Sequence, residues 1–575
     1  MPTIQRILQD RFRAAIRLAV GLDADPLVTL AQNPKFGDYQ SNAAMGLAKQ
    51  ISQTTGQKAN PRAIAEQVKS RLDLADLADE VSIAGPGFIN VRLSPGWLAA
   101  QLAALLNDPR LGIEATPQPQ RTVVDYCGVN IAKQMHVGHL RSTCIGDALS
   151  RMIEFAGHPV IRQNHLGDWG TQFGMLLRYL LETSGSADAH IADLEDFYRA
   201  AKRRFDEDAN FANEARQMVV QLQSGQPQAL DLWRRIVDQS RRHFQPLYRR
   251  LNTKLTAADE RGESFYNPLL GQTVQELRDR GVATDSQGAV VVWVQGFEAP
   301  LIVQKSDGGF GYGATDLAAI RYRVRELGAR RIIYLADARQ QQHFRQIFDA
   351  ARRAGWIDGA SAEHVMFGTI QGPDGKPFKS KSGDNIKLVE LLNEAEQRAL
   401  AIVTQKNPEL PAEQRQQIAA AVGIGALKYY DLNRDAIGDY VFDWDKMLAL
   451  DGNTAPYLQY AYARIRSIFR KAQQRGALGE VAATMELSTP FEQALARQIL
   501  RLGEVLEIVV ADLKPHHLCT YLYELATRFS AFFENCPVIQ SQPPLRDSRL
   551  ALCDLTARVL SQGLDLLGIE HPEQM

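Results

Sequence analysis

Residues 123–172 read V-V-D-Y-C-G-V-N-I-A-K-Q-M-H-V-G-H-L-R-S-T-C-I-G-D-A-L-S-R-M-I-E-F-A-G-H-P-V-I-R-Q-N-H-L-G-D-W-G-T-Q. The apolar run 123–126 has the pattern of a buried strand. A short loop follows, and a helix pattern opens near Gly138 and closes around Gly157. The tetrapeptide His136-Val137-Gly138-His139 therefore sits where strand gives way to helix. In an open α/β sheet that crevice binds nucleotides, with phosphate near the free N–H groups of a helix N-terminus. Two imidazoles there can donate to phosphate oxygens as charge builds. Gly138 leaves room for a base or ribose against the backbone. Two plainer readings compete. A metal pair would need further ligands, and no Cys or Asp cluster stands nearby. Both histidines also suit an ordinary helix start.

Three segments follow one another here: N-I-A-K-Q-M-H-V-G-H-L-R-S-T (130–143), I-G-D-A-L (145–149) and G-D-W-G-T-Q-F-G-M-L (167–176). Far away stand P-K-F-G-D-Y-Q (34–40), A-G-P-G-F-I-N (84–90) and G-N-T-A-P-Y-L-Q-Y-A-Y (452–462). In this order they resemble the class I aminoacyl-tRNA synthetases, whose first signature reads HIGH, and within that class the arginyl-tRNA synthetases. The resemblance covers essentially the whole chain. It implies an α/β multidomain fold. A Rossmann-type parallel-sheet catalytic domain is split by a mostly helical insertion, between an α+β N-terminal domain and an all-α C-terminal anticodon-binding domain.

A chain of 575 residues is too long for one core and suggests several domains. Lysine plus arginine (65) nearly balances aspartate plus glutamate (66), so RNA contacts must come from local patches. The five cysteines form no C-x-x-C pair, so neither a zinc ribbon nor a redox dithiol is indicated, and their scatter fits a reducing, cytoplasmic setting. The N-terminus lacks the apolar core of a signal peptide, and no run is long enough to span a bilayer.

Residues 1–108 form a first unit, and the proline-bearing 109–120 a linker. Residues 121–387 form the nucleotide-binding unit, interrupted at about 180–300 by a charge-rich, mostly helical insertion. Its second half carries the strand patterns L-I-V-Q, R-I-I-Y-L-A and H-V-M-F. Residues 388–451 connect to a helical unit at 452–575. There is no Walker P-loop, no H-E-x-x-H and no internal repeat.

The segment G-P-D-G-K-P-F-K-S-K-S-G-D-N (372–385) is dense in glycine, serine and lysine, as an exposed loop is. Lysines closing over a triphosphate stabilise departing pyrophosphate. The loop resembles the class I KMSKS motif, with Phe378, Lys379, Ser380, Lys381 and Ser382 on its positions. Phe378 stands where the motif has its first lysine. Arginyl enzymes without the second lysine are thought to use one just upstream of HIGH, which matches Lys133. This chain has both Lys133 and Lys381, and their division of labour stays open.

A guanidinium is planar, five-donor and permanently charged, so its site needs carboxylates and oriented acceptors. In G-G-F-G-Y-G-A-T-D-L, Tyr312 and Asp316 lie four apart and share a face if a helix begins near Tyr312. The resemblance implies that this pair binds the substrate guanidinium, with Glu263 as a further acidic contact. It also implies that Asn130, His136 and Gln340 hold the α-amino and carboxylate end. Two loops depart from the family pattern. Cys127-Gly128-Val129-Asn130 replaces S-x-P-N, and Gly313-Ala314-Thr315 replaces a threonine run. Loss of a proline and gain of glycines are expected to loosen both loops.

From residue 452 onward, aromatics and cations interleave, among them Tyr457, Tyr460, Tyr462, Arg464, Arg466, Arg470 and Lys471. Such residues stack on unpaired bases and neutralise phosphates, or else form a core and a solvated basic face. The N-terminal unit resembles the family's tRNA-corner domain, with Phe36, Tyr39 and Gln40 as its base-contacting loop.

The expected activity is thus ATP-dependent activation of L-arginine and its transfer to the 3′-terminal ribose of tRNA(Arg), by a monomer. His136, His139, Lys133 and Lys381 act on the phosphates. Gly138, Lys379 and Ser382 join them in binding ATP, and Mg²⁺ shields its charge. No protein metal site is expected. Two alternatives differ in acceptor and in chemistry. One is a paralogue activating arginine or an analogue for a non-tRNA acceptor, and the other is a non-catalytic tRNA-binding protein.

Overall fold

Four parallel strands run through the centre of the chain, in the order Ser361–Phe367, Arg331–Asp337, Thr122–Asp125, Val160–Gln163. The computed structural model describes residues 1–183, 194–378, 386–478 and 485–575. Val123 pairs with Ile332 on one side and Ile161 on the other. From the two middle strands the chain winds outward in opposite directions. The crevice beyond their carboxyl ends is therefore a switch point, where sheets of this kind bind ligands.

The helix Val137–Phe155 returns the chain from the first strand to its neighbour. It is buried on nearly all sides, with Leu140, Cys144, Ala148, Leu149 and Met152 wholly enclosed. A helix covered all round belongs inside a large core. Gly146 explains how it fits: a Cβ there would stand 2.3 Å from the Tyr126 side chain. The same helix carries Arg141, whose Nε donates to Asp431 at 2.8 Å with both side chains sealed from water. Arg141 also donates to the carbonyls of Gly438 and Ala436. Three of its five donors thus have acceptors, which a buried guanidinium requires.

The insertion carries the helices Leu194–Glu207, Ala209–Gln223, Pro227–Arg250 and Glu263–Asp279. One expectation is corrected here. The strand Leu301–Gln304 does not join the parallel sheet. It pairs antiparallel with Ala289–Val292, which pairs in turn with Thr284–Ser286. The cause is local. Gln287 and Gly288 both adopt positive φ, 51° and 78°, which closes a tight hairpin whose free edge accepts the third strand. Leu301 and Val303 are buried while Ile302 is half exposed, the alternation of a one-faced sheet.

The N-terminal unit places the helices Ile4–Val20, Ala43–Thr55 and Pro61–Arg71 against an antiparallel sheet. Its order is Val28–Leu30, Tyr39–Ser41, Phe88–Leu93, Ala78–Ala84. Beyond residue 388 long helices dominate, including Ala412–Leu432, Ala455–Gln474, Leu502–Asp512, His516–Asn535 and Leu545–Leu566. Polar ties join them to the rest. Arg331 donates to Val510 O, and the buried Lys428 ammonium donates to Leu251 O and Gly568 O. Among the described residues no helix is long and apolar enough to cross a membrane.

Candidate active site

The loop leaving the first strand is fixed residue by residue. Cys127 and Gly128 both have positive φ, 79° and 64°. For Cys127 this costs about 1–2 kcal/mol. Ser142 Oγ compensates by accepting from Cys127 N at 2.9 Å, and Asn164 Oδ1 accepts from Gly128 N at 3.0 Å. Gly167 exchanges backbone bonds with Val129 and Ile131, and Ala132 N donates to Ser240 Oγ. Around Val129, where loss of a proline is expected to loosen the loop, neighbouring segments hold the backbone through these hydrogen bonds. Gly313 is likewise a packing residue, since a Cβ there would meet Leu301 at 2.8 Å. Burial pushes the Cys127 thiol up to about 11, so it stays protonated and inert.

At the start of the helix Val137–Phe155 the two histidines cap one another. His136 Nδ1 accepts from Gly138 N, and His139 Nδ1 accepts from His136 N, each at 3.1 Å. Both Nδ1 atoms are thereby acceptors, so in the neutral ring the proton sits on Nε2. Burial lowers both imidazoles; for His139, reinforced by His136, the result is about 3. The helix-start reading and the donor reading thus coincide. Gly138 has a further role: a Cβ there would stand 2.8 Å from the His136 ring, so the glycine also makes room for that ring to fold back.

Backbone just beyond the lysine-rich loop runs alongside. Val137 N donates to Ile386 O at 3.0 Å, and Leu388 N to Met135 O at 2.8 Å. At the loop's other end Phe378 stacks on Phe442, centroids 4.5 Å apart. Lys379, Ser380, Lys381 and Ser382 lie outside the described residues.

A cleft of about 620 Å³ opens at the carboxyl ends of the middle strands. Asn130, His136, Gly138, His139, Glu263, Tyr312, Asp316 and Gln340 all line it. Tyr312 opens the helix Tyr312–Arg325 and is 70% exposed, and Asp316 follows one turn later. Gln340 directly precedes the helix Gln341–Arg353. Lys133 is absent from these walls; its ammonium lies 4.8 Å over the ring of Tyr198 in the insertion.

One end of the cleft is strongly acidic. Burial, then the charges of Asp168 and Asp316, push Glu263 up to about 8. Asp168 accepts from Ser264 N at 2.9 Å and from Ser264 Oγ at 2.7 Å, which caps the helix that begins at Glu263. For Asp316, burial raises the carboxyl, but the hydrogen bond from His343 at 2.7 Å and the His165 imidazole outweigh it and leave the group below its ordinary range. Arg323 locks the floor, donating to Asp125 Oδ2 at 2.7 Å and Gln163 Oε1 at 2.6 Å. His165, Asp168, His343 and Arg323 escaped the sequence reading. The quoted G-D-W-G-T-Q segment was the one available signal, for Asp168.

The proposed RNA contacts are scattered differently. Phe36 is 50% exposed, whereas Gln40 is buried and bonds Asn42. Tyr39 is buried against Glu504, so its place as a base-contacting residue is corrected: its hydroxyl is spent between domains. Tyr457 is half-buried against Tyr523. Tyr460 is 47% exposed, and Arg464 lies 4.4 Å over the Phe533 ring. Tyr460 and Arg464 share a second cleft of about 820 Å³ with Arg470, Lys471 and Arg475. Among the described residues no group of three or more His, Cys, Asp or Glu could hold a metal ion.

Residues 101–444 match the family described as tRNA synthetases class I (R), catalytic domain. Residues 6–93 match the arginyl tRNA synthetase N terminal domain, and residues 458–575 the DALR anticodon binding domain. An arginine–tRNA ligase of Chromobacterium violaceum is 51% identical, with 100% of both chains covered. One from a Synechococcus strain is 52% identical over 99% of each. Among solved structures, the arginyl-tRNA synthetase of Plasmodium falciparum superposes with a TM-score of 0.88 at 31% identity, covering 100% of both chains. That of Thermus thermophilus gives 0.83 at 26% identity, also over 100% of both. With a capped histidine pair facing a carboxylate pocket and relatives alike over their full length, the chain belongs to the arginyl-tRNA synthetases of class I.

Proposed function

We propose that the cleft activates L-arginine with ATP and passes the arginyl group to tRNA(Arg). The observation that carries this is the polarity of one cavity. Neutral imidazole donors, His136 and His139, and the carboxyls of Glu263 and Asp316 line the same cleft, with Asp168 behind Glu263. That arrangement supports an anion and a cation bound a few ångströms apart.

Asp316, Glu263 and Tyr312 take the guanidinium, and Asn130, Gln340 and His136 orient the α-amino and carboxylate end. The carboxylate oxygen attacks the α-phosphorus of ATP. The bond to the bridging oxygen breaks, and pyrophosphate leaves. His136 and His139 donate from Nε2 to phosphate oxygens as negative charge builds, and being fixed by the helix start they need no reorganisation. Lys133 and Lys381 stabilise the leaving pyrophosphate, and Gly138, Lys379 and Ser382 join in binding ATP. Mg²⁺ enters on the ATP phosphates as part of the substrate. The terminal ribose hydroxyl of tRNA then attacks the arginyl carbonyl and AMP departs. Phe36, Tyr460 and Arg464 present the open aromatic and cationic surface for RNA. The five free, buried cysteines support a reducing compartment, the cytoplasm.

Arginine-dependent ATP–pyrophosphate exchange, with and without tRNA, tests the reading alongside direct charging of tRNA. Exchange followed by charging is the expected result. Exchange with no transfer to any tRNA would point to another acceptor, and no exchange in any condition would overturn an enzymatic role.

A further inference from the structure

We propose that His343 is a positioning residue that pins one oxygen of Asp316, and so makes the pocket select a two-armed planar cation over a single ammonium. The proposal rests on the reading of Asp316 as a guanidinium contact.

Asp316 sits in the helix Tyr312–Arg325, and His343 in the first turn of the helix Gln341–Arg353. Their side chains meet across the cleft wall, with Nε2 to Oδ2 at 2.7 Å. Both line the cleft and both remain partly open to it. The Asp316 carboxyl is held ionised, so it can only accept, and His343 Nε2 must be the donor. His343 is itself fixed edge-on against Phe344, which leans on Tyr334 and His364.

The consequence is geometric. A free carboxylate can turn both oxygens towards a guanidinium and hold it in a parallel fork. It can equally turn one oxygen towards an ammonium, which is a compact point charge. With Oδ2 committed to His343, Oδ1 is the oxygen left for a ligand. One arm of the guanidinium then meets Oδ1, and the other needs a second acceptor. Glu263 is in the same cleft and its charge couples to that of Asp316. A ligand must span both groups to satisfy them, which a planar guanidinium does and a primary amine does not. His343 also follows Gln340 by three residues, so one helix start orders both ends of the proposed amino-acid site.

Full-length His343→Leu and His343→Gln variants, with Asp316→Asn and the His343→Leu/Asp316→Asn double variant, are assayed for tRNA charging. In His343→Leu the Asp316 carboxylate is free to turn out of the geometry it shares with Glu263, so the arginine KM should rise on the order of tenfold, as for one lost hydrogen bond to a charged group, with the ATP KM unchanged. The ratio of arginine to lysine charging should fall. His343→Gln retains a donor and should recover most of both effects. In the Asp316→Asn background, His343→Leu should add nothing, because it acts through Asp316. Should His343→Leu fail to fold, His343→Met against His343→Gln makes the same comparison. An unchanged arginine KM in His343→Leu, no recovery by glutamine, or additive effects in the double variant would overturn the proposal. An Asp316→Asn variant with normal arginine KM would overturn the underlying reading of the pocket, and the proposal with it.

Discussion

Tyr39 donates its hydroxyl hydrogen to Glu504 Oε1 at 2.7 Å, across 465 positions of chain. The same oxygen accepts from Gln5 N at 2.9 Å. Next to Tyr39, Asp38 meets Arg497 at 3.1 Å and accepts from Leu93 N at 2.8 Å. Gly37 makes the bend possible: its φ is 146°, and a Cβ would stand 2.6 Å from Val91 O. The F-G-D-Y-Q loop therefore faces two ways. Phe36 points to solvent, while Asp38 and Tyr39 latch the N-terminal sheet onto the helices Pro490–Leu500 and Leu502–Asp512.

Tyr39→Phe should loosen that latch. Glu504 Oε1 keeps the bond from Gln5 N but loses the one from Tyr39, at a cost of about 1–3 kcal/mol for a buried hydrogen bond to a carboxylate. The urea midpoint should fall. The KM for tRNA should rise, because two RNA-facing surfaces lose their fixed spacing, while the KM values for ATP and arginine hold. A variant identical to the parent in both midpoint and tRNA KM would show that the latch contributes nothing.

Arginine binding should expel a proton near neutral pH. Glu263 sits at about 8 in the free site, raised by burial and by Asp168 and Asp316, so it is mostly protonated at pH 7. A bound guanidinium favours the carboxylate and lowers it. Affinity should therefore climb as pH rises towards 8 and level off above. Calorimetry at pH 7 in buffers of different ionisation heat should register up to one proton released per arginine. Glu263→Gln should abolish the release. The sign for folding runs the other way: a raised carboxyl contributes stability at low pH that is lost as pH passes 8, so Glu263→Gln should gain stability relative to the parent most at pH 9.

Asp316→Ala should weaken arginine binding by about 3–5 kcal/mol, the cost of stripping a partner from a buried charge. Equilibrium binding of arginine and of ATP decides it. Parallel loss of both would make Asp316 a structural residue of its helix.

These residues mark where the sequence stopped being legible. Periodicity located the strand–loop–helix that holds His136 and His139, and the four-residue spacing of Tyr312 and Asp316 survived because a helix does begin at Tyr312. Such signals are local. The pairing of Asp316 with His343 spans 27 positions, that of Arg323 with Asp125 spans 198, and that of Tyr39 with Glu504 spans 465. Each is a polar side chain buried by a distant partner, and nothing in its neighbours along the chain records that partner. Leu301–Gln304 failed for a related reason: a short apolar run defines a strand and leaves open which edge it joins.

Lys133→Ala should slow adenylate formation on the order of a hundredfold with little change in arginine affinity, since a clamp on departing pyrophosphate acts in the transition state. Its ammonium rests over Tyr198, outside the cleft walls, so reaching the phosphates means leaving that ring. Single-turnover rates for Lys133→Ala, Lys381→Ala and the pair separate the two lysines. A double variant less than additive would place both on one phosphate group, and an undiminished rate in Lys133→Ala would assign the task to Lys381.

Removing the C-terminal helices is a poor test of RNA binding, because the catalytic unit depends on them. Truncation near residue 450 would strip Lys428 of Gly568 O and Tyr429 of Cys519 O, and Arg331 of Val510 O. Such a fragment should unfold rather than reveal a tRNA-free enzyme. Point variants in the whole chain avoid this. Tyr460 is open and apolar-faced, so Tyr460→Ala should weaken tRNA binding by about 1–3 kcal/mol if a base stacks on it, at every salt concentration alike. Arg464→Gln removes a cation from the same cleft and should lower the slope of log affinity against log salt by about 0.7, the counterions released per contact with single-stranded phosphate. Measured over a salt series, the two variants should thus differ in kind, one shifting the line and the other tilting it. If both leave the line where it was, the cleft beside Tyr460 does not hold RNA, and Arg464 serves only to cover the Phe533 ring.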